Sequence, residues 1–378
     1  MTRLSAHRRF SPAVLLATLL LVAALLLAGC EDGTTSTPQP TREGGEEQSW
    51  WQVYFTEPDR LGNPDQIEGS IEAALIERID AAQESIHIAA FEFNLTPVAE
   101  ALIAAKGRDV EVQWVTDDEH GLEADSEEGH GQFAMLQDAD IPVIDDGRGA
   151  LMHNKFIIFD GQTVWTGATN LTENGIFRNN NNVIVIESGA VAEMFEREFS
   201  EMWAGEFGPR SPSTVSQQRT TVEGTPIQVL FASEDEAVSQ IVPLLQSAQQ
   251  SIYFMAFSFT HNDLGEAMLE RAAEGVTVSG IFETRGSQTE FSELPPMFCA
   301  GLAVRQDGNP STYHHKVIVI DEQTVITGSL NFSANADESN DENVVILTNP
   351  AIAAQYLQEF QRNWAEANPP DPAEMNCP

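Results

Sequence analysis

Leu151–Asn170 reads LMHNKFIIFDGQTVWTGATN, and Tyr313–Asn331 reads YHHKVIVIDEQTVITGSLN. Laid one over the other, they place His153, Lys155, Asp160, Gly167 and Asn170 on His314, Lys316, Asp321, Gly328 and Asn331, each pair 161 positions apart. Both copies follow the spacing H-x-K-x4-D-x6-G-x-x-N. Phe156–Phe159 and Val317–Ile320 are short apolar, β-rich runs that predict buried strands. Asp160-Gly161 is a hairpin signal, and Thr163–Thr166 is the returning strand. Period-2 geometry then puts His153 and Lys155 on one face at the start of the strand. Each copy offers an imidazole, an ammonium and a nearby amide, which is half of a site for a tetrahedral anion.

Composition supports a chemical role for the lysines. The chain has three, Lys106, Lys155 and Lys316, and two of them stand in the repeated stretch. One such stretch would be an unremarked strand with a polar start. Two in register are a duplicated site.

These residues resemble the phospholipase D superfamily, whose signature is a duplicated H-x-K-x4-D followed by G-S-x-N. Gly328-Ser329-Leu330-Asn331 fits fully; the first copy has Ala168 where the family has Ser. The resemblance covers roughly residues 65 to 367. It implies one active site between two similar domains.

Residues 1–29 read as a secretion signal: Arg3, Arg8 and Arg9 precede an apolar run that ends in Leu27-Ala28-Gly29-Cys30. That ending resembles a lipoprotein signal, with Cys30 as the lipidated residue. Residues 30–50 are a polar tether with a random-coil reach of about 20–25 Å. The expected localisation is therefore the extracytoplasmic face of a membrane. The formal net charge is −39, and loss of the signal makes it more acidic still. Such a surface repels nucleic acid and anionic lipid at long range. With Cys30 lipidated, Cys299 and Cys377 form an even pair able to make a disulfide outside the cytoplasm. No Cys/His cluster suggests a zinc site, and no metal or cofactor is expected.

The duplication is wider than the motif. Ala82–Phe93 matches Ala248–Phe259, and each is a helix end followed by a strand. A helix follows (Pro97–Lys106, Asp263–Glu274), then a strand (Val110–Val115, Val276–Phe282). After the hairpin comes another strand (Val183–Ile186, Val344–Leu347). Each half closes on a helix with matched aromatics, Phe199 and Trp203 over Phe360 and Trp364. The expected fold is two pseudo-symmetric α/β/α sandwich domains, 51–208 and 226–368, with a linker at 209–225 and a tail at 369–378. Both half-sites in one chain predict a monomer with the site at the domain interface.

The chemistry expected is phosphodiester cleavage. One histidine attacks phosphorus and the other protonates the leaving alcohol, then activates water. Lys155, Lys316, Asn170 and Asn331 are placed to hold the non-bridging oxygens. By resemblance, the motif residues Asp160 and Asp321 belong to the catalytic set, His153 is the nucleophile and His314 the acid. Glu342 is the carboxylate expected on His153 from across the interface, and Asn181, within Asn179–Asn182, is its counterpart for His314. His315 points to the other face. Glu92 and Ser258 hold matched positions that face the site or are buried in hydrogen bonds. Asp117–His130, with His120 and His130, reads as a solvated acidic loop at the rim, with cation binding as the alternative. The leading expectation is hydrolysis of a phospholipid. The alternatives are an exported nuclease, for which no basic or aromatic groove is visible, and a catalytically silent binding protein.

Overall fold

Two mixed sheets with the same strand plan build the molecule, as seen in a computed structural model that describes residues 49–377. The signal region and Cys30 lie outside those residues. The first sheet contains β1 (Trp51–Phe55), β2 (Ser85–Ala90), β3 (Glu111–Thr116), β4 (Val143–Asp145), β5 (Lys155–Phe159), β6 (Thr163–Gly167) and β7 (Asn182–Glu187). Its order is β1-β7-β6-β5-β2-β3-β4. The second contains β8 (Arg219–Val222), β9 (Thr225–Ala232), β10 (Ser251–Ala256), β11 (Thr277–Phe282), β12 (Ala303–Gln306), β13 (Lys316–Ile320), β14 (Thr324–Gly328) and β15 (Glu342–Thr348). Its order, β12-β11-β10-β13-β14-β15-β9-β8, repeats the first with one strand added. That extra strand, β8, lies inside the stretch expected to be a linker and pairs antiparallel with β9.

β5 and β13 sit mid-sheet, which explains their unbroken apolar runs: Lys155–Phe159 and Lys316–Ile320 are buried at every position. Helices α1 (Ile71–Ala81) and α2 (Thr96–Lys106) cover the outer face of the first sheet; α4 (Ala237–Ser247) and α5 (Asn262–Ala273) cover that of the second. The closing helices α3 (Gly189–Trp203) and α6 (Pro350–Glu366) turn inward. α3 buries Val191, Phe195, Phe199 and Met202, an i, i+4, i+8, i+11 stripe. This stripe meets Phe231 of β9, with Phe195 and Phe231 edge to face at 5.3 Å. The middle core therefore belongs to both halves, and the described chain from Ser49 onward is one compact body. The two matched sheets are the two similar domains expected, and the inward aromatic helices join their cores across the middle. Cys299 and Cys377 are joined by a disulfide, which ties the C-terminal tail to the second half.

The two hairpins have the same geometry with different residues. Asp160 and Gly161 turn with φ of 52° and 59°, Asp321 and Glu322 with 51° and 57°. Two consecutive left-handed residues make the turn that matches the strand twist. Glycine adopts this conformation freely, whereas a Glu side chain crowds the following carbonyl, at roughly 1–2 kcal/mol. Glu322→Gly should therefore stabilise the protein by about 1 kcal/mol. In urea titration its midpoint should rise with an unchanged slope.

Candidate active site

The site is assembled where the strands of one half cross those of the other. His153 N–H donates to Asp341 O at 2.9 Å, and Asp341 N–H donates to Leu151 O at 2.9 Å. On the other side His314 N–H donates to Asn180 O, and Asn180 N–H donates to Thr312 O, again at 2.9 Å each. These parallel bridges (Met152 with Asp341, Asn180 with Tyr313) fix each histidine against the chain just before β15 or β7. The run Asn179–Asn182 is thus a seam between the halves. Asn179 Oδ1 accepts from Ser311 Oγ at 2.9 Å, and Asn182 Nδ2 donates to Thr327 Oγ1 at 2.9 Å. Asn343 returns the favour from the other half, donating to Thr166 Oγ1 at 2.7 Å.

The motif glycines follow from the same crossing. A Cβ on Gly167 would stand 2.2 Å from Asn182 O, and one on Gly328 would stand 2.1 Å from Asn343 O. Without a side chain there, β7 and β15 start close enough for the next side chains to reach the opposite histidine. Glu342 Oε2 lies 2.7 Å from His153 Nδ1. Asn181 Oδ1 lies 3.0 Å from His314 Nδ1. Asn181 Nδ2 donates to Gly175 O, so its Oδ1 accepts Nδ1–H of His314; an ionised Glu342 holds His153 the same way, which leaves Nε2 with its lone pair free.

Lys155 Nζ donates to His153 O at 2.8 Å and Lys316 Nζ to His314 O at 3.0 Å. Each ammonium also stands over an aromatic ring, Lys155 over Phe91 at 5.0 Å and Lys316 over Phe257 at 4.9 Å. The same rings flank the histidines, at 4.8 Å for Phe91–His153 and 4.9 Å for Phe257–His314. Phe91 and Phe257 occupy matched places in the repeated strands, yet the sequence reading gave them no role. Their signal was aromatic identity at a repeated position beside Glu92 and Ser258. A cation over a desolvated ring gains about 2 kcal/mol, which offsets part of the cost of burying an ammonium.

Burial dominates the electrostatics. It pushes Lys155 down to about 8, against the pull of Glu342, Glu92 and Asp117. Lys316 is pushed well below its ordinary value by burial and by Lys155. Both histidines are held far below the usual imidazole range, first by burial and then by the two lysines. Burial pushes Glu342 up to about 8, with Lys155 opposing. Such a cluster is short of negative charge, and a bound anion would supply it.

Asn170 Nδ2 donates to Glu92 Oε2 at 2.9 Å, and the Oδ1 atoms of Asn170 and Asn331 are buried with no hydrogen-bond partner. A polar cavity of about 440 Å³ adjoins this side, walled by Glu92, His120, His130 and Asn170 among others. His120 packs on Phe91 at 4.9 Å, so the acidic loop does rim the site. His315 is buried on the opposite face, 3.0 Å from Asn182 Oδ1 and 3.3 Å from Glu359 Oε1.

Asp160 and Asp321 need a correction. Each stands at the far end of its five-residue strand, roughly 15 Å from the lysine by strand rise. Asp160 accepts from the N–H groups of Gln83, Glu84 and Ser85 at 2.7–3.0 Å. Asp321 does the same for Gln249, Gln250 and Ser251 at 2.7–2.9 Å. They lock the hairpin to the preceding helix end. Asp117 and Asp118 of the acidic loop are joined by Asp146, which the sequence reading did not single out, and the three bring one oxygen each within 4.8 Å of one another. Their oxygens are engaged by protein donors, with Arg148 Nε on Asp146 Oδ2 at 3.0 Å, Asp118 N–H on Asp146 Oδ1 at 3.2 Å, and Met152 N–H on Asp117 Oδ2 at 3.1 Å.

A family model described as cardiolipin synthase, PLD-like domain, matches residues 75–203 and again 241–364. The chain belongs to the phospholipase D superfamily. A mitochondrial cardiolipin hydrolase of Xenopus tropicalis is 37% identical over 135 residues, which is 36% of this chain and 64% of that relative. A phospholipase D of Rickettsia bellii is 33% identical over 138 residues, 36% of this chain and 67% of its own length. The chain thus aligns with about two-thirds of the length of these curated relatives. The crystal structure of phosphatidylserine synthase from Haemophilus influenzae matches 82% of this chain and 86% of its own, with 15% identity and a TM-score of 0.59, a likeness of fold.

Two measurements check this geometry. Asp160→Ala should lose about 1–2 kcal/mol of stability, because water replaces the exposed acceptor only in part. Its turnover at a temperature where it is folded should stay within about twofold; a folded variant with activity reduced beyond roughly a hundredfold returns Asp160 to the catalytic set. For Lys155, the ammonium is present below pH 8 and lost above it. Affinity for an anionic phosphodiester should therefore fall about fivefold from pH 8 to pH 9, seen as a rising KM or vanadate inhibition constant. Lys155→Arg, always charged, should flatten that profile.

Proposed function

We propose that the chain is a phosphodiesterase that hydrolyses a phospholipid by two-step transfer through a phosphohistidine, without a metal. The single observation that supports it most is the unequal pair of partners: a carboxylate on His153 Nδ1 and an amide on His314 Nδ1. A carboxylate stabilises positive charge on the ring it touches, which favours His153 as the nucleophile. Its Nε2 attacks phosphorus, and the bond to the leaving alcohol breaks as that oxygen takes a proton from His314 Nε2. His314 rests neutral with Nε2 unprotonated, so that nitrogen first takes a proton from solvent as the arriving anion raises its proton affinity, and this is the proton it passes to the leaving oxygen. Lys155 and Lys316 neutralise the non-bridging oxygens as charge builds. In the second step His314 takes a proton from water, the water oxygen attacks phosphorus, and His153 leaves.

Lipid is the substrate class proposed, because relatives named cardiolipin hydrolase and phospholipase D are 37% and 33% identical to this chain over 135 and 138 residues. A lipidated Cys30 and its tether would hold the enzyme at a bilayer as a monomer. The test is the full chain in detergent, assayed on phosphatidylcholine, cardiolipin and single-stranded DNA with EDTA present. Head-group release with intact DNA is expected. DNA cleavage without lipid hydrolysis overturns the substrate, and loss of turnover restored by a divalent cation overturns metal independence. With a nitrophenyl phosphodiester, His314→Ala should accumulate phosphoenzyme and His153→Ala should form none, since loss of an acid–base group costs about 10²–10⁴-fold. A phosphoryl group on His314 in the unmodified enzyme would reverse the roles.

A further inference from the structure

The two sides of the seam share one backbone pattern but differ in charge at a second position besides the histidine partners. On the His153 side, Arg148 Nη2 donates to Asp341 Oδ2, and Gly208 N–H donates to Asp341 Oδ1 at 2.6 Å. The residues 161 positions away are Asn309 and Asn180, and there Asn309 Nδ2 donates to Asn180 Oδ1 at 2.6 Å. An ion pair on one side is thus an amide pair on the other. Glu342 follows Asp341 as Asn181 follows Asn180, so both acids on the His153 side have amide counterparts on the His314 side.

Asp341 is 1% exposed and Glu342 is fully buried. Two adjacent buried acids repel unless one is compensated. Lys155 and Lys316 serve Glu342, whereas Asp341 has Arg148. The arginine is itself held: it stacks 5.6 Å from the Phe207 ring, and a Cβ on Gly208 would lie 2.0 Å from its Nη1. Asp341 O is also the acceptor for His153 N–H. One residue therefore sets the backbone of the histidine and the starting point of the acid that meets its ring.

We propose that Arg148 and Asp341 form a positioning pair that holds Glu342 on His153 and so makes the two imidazoles unequal; its catalytic consequence rests on the phosphodiesterase reading above. Neither residue touches the reacting atoms. Removing Arg148 alone strands the buried Asp341 carboxylate and takes a donor from Asp146, so the decisive variant is Arg148→Gln, whose amide can still donate to Asp146, with Asp341→Asn, which gives this side the neutral amide chemistry of Asn309 and Asn180.

The experiment is imidazole ¹H–¹⁵N NMR on the full chain in detergent, with His153 and His314 assigned by substitution. The unmodified protein should show a strongly deshielded Nδ1 proton on His153 from the Glu342 contact. In the double variant that resonance should shift or vanish while the His314 signal stays in place. A His153 resonance unchanged in the double variant overturns the proposal. A parallel loss at His314 also overturns it, because a general loosening of the seam is then the cause. In kinetics on a nitrophenyl phosphodiester, kcat should fall about 10–100-fold with KM within about twofold, the usual scale for partners that orient a histidine. Unchanged kcat in the folded variant overturns the catalytic consequence. An unmodified enzyme inactive on every phosphodiester overturns the reading in the preceding subsection, and the NMR comparison still decides the pair.

Discussion

Each imidazole takes its Nδ1 partner from the opposite half of the chain, and most of the architecture serves that exchange. Glu342 can reach His153 only because β15 starts against the second motif glycine, and Asn181 reaches His314 past the first. The parallel bridges either side of the seam fix the register, and the core shared by α3 and α6 prevents the halves from sliding. The interface is therefore part of the hydrogen-bonding of the site itself. Neither half carries a complete imidazole–partner couple.

The second constraint is solvation. Two ammonium groups, two imidazoles and one carboxylate are all at least nine-tenths buried. A buried charge left alone costs several kcal/mol, so the resting site compensates through cation–π faces, main-chain carbonyls and displaced protonation. The ring pair Phe91 and Phe257 does this twice over, since each packs against both a histidine and a lysine. A site kept poor in negative charge discriminates by charge before it does so by shape.

Much of this was legible in the sequence because duplication makes a functional residue visible twice. The strands of the hairpins, His153, Lys155, His314 and Lys316 came from repeat and period, the Glu342 partner came from the family resemblance, and Asn181 came from counting the 161-residue offset back from Glu342. Asp160 and Asp321 were misread for a geometric reason. They are as strictly spaced as the lysines, but a five-residue strand puts them at the opposite edge, where their repeat records a folding requirement. The ion pair of Arg148 with Asp341 was invisible because its counterpart is an amide pair, and a repeat search rewards likeness. That the middle core joins both halves could not be read beforehand, because apolar periodicity shows that a face is buried, and not against which half.

Covalent fusion of the two halves has a consequence for how the site can vary. If two identical chains met across the same seam, each imidazole would face the same side chain, and any substitution would strike both. With both halves in one polypeptide, position 181 and position 342 are separate loci. One carries an amide and the other an acid. Asymmetry in the partners of the two imidazoles, which an assembly of identical chains could not hold at rest, is written here into the resting molecule.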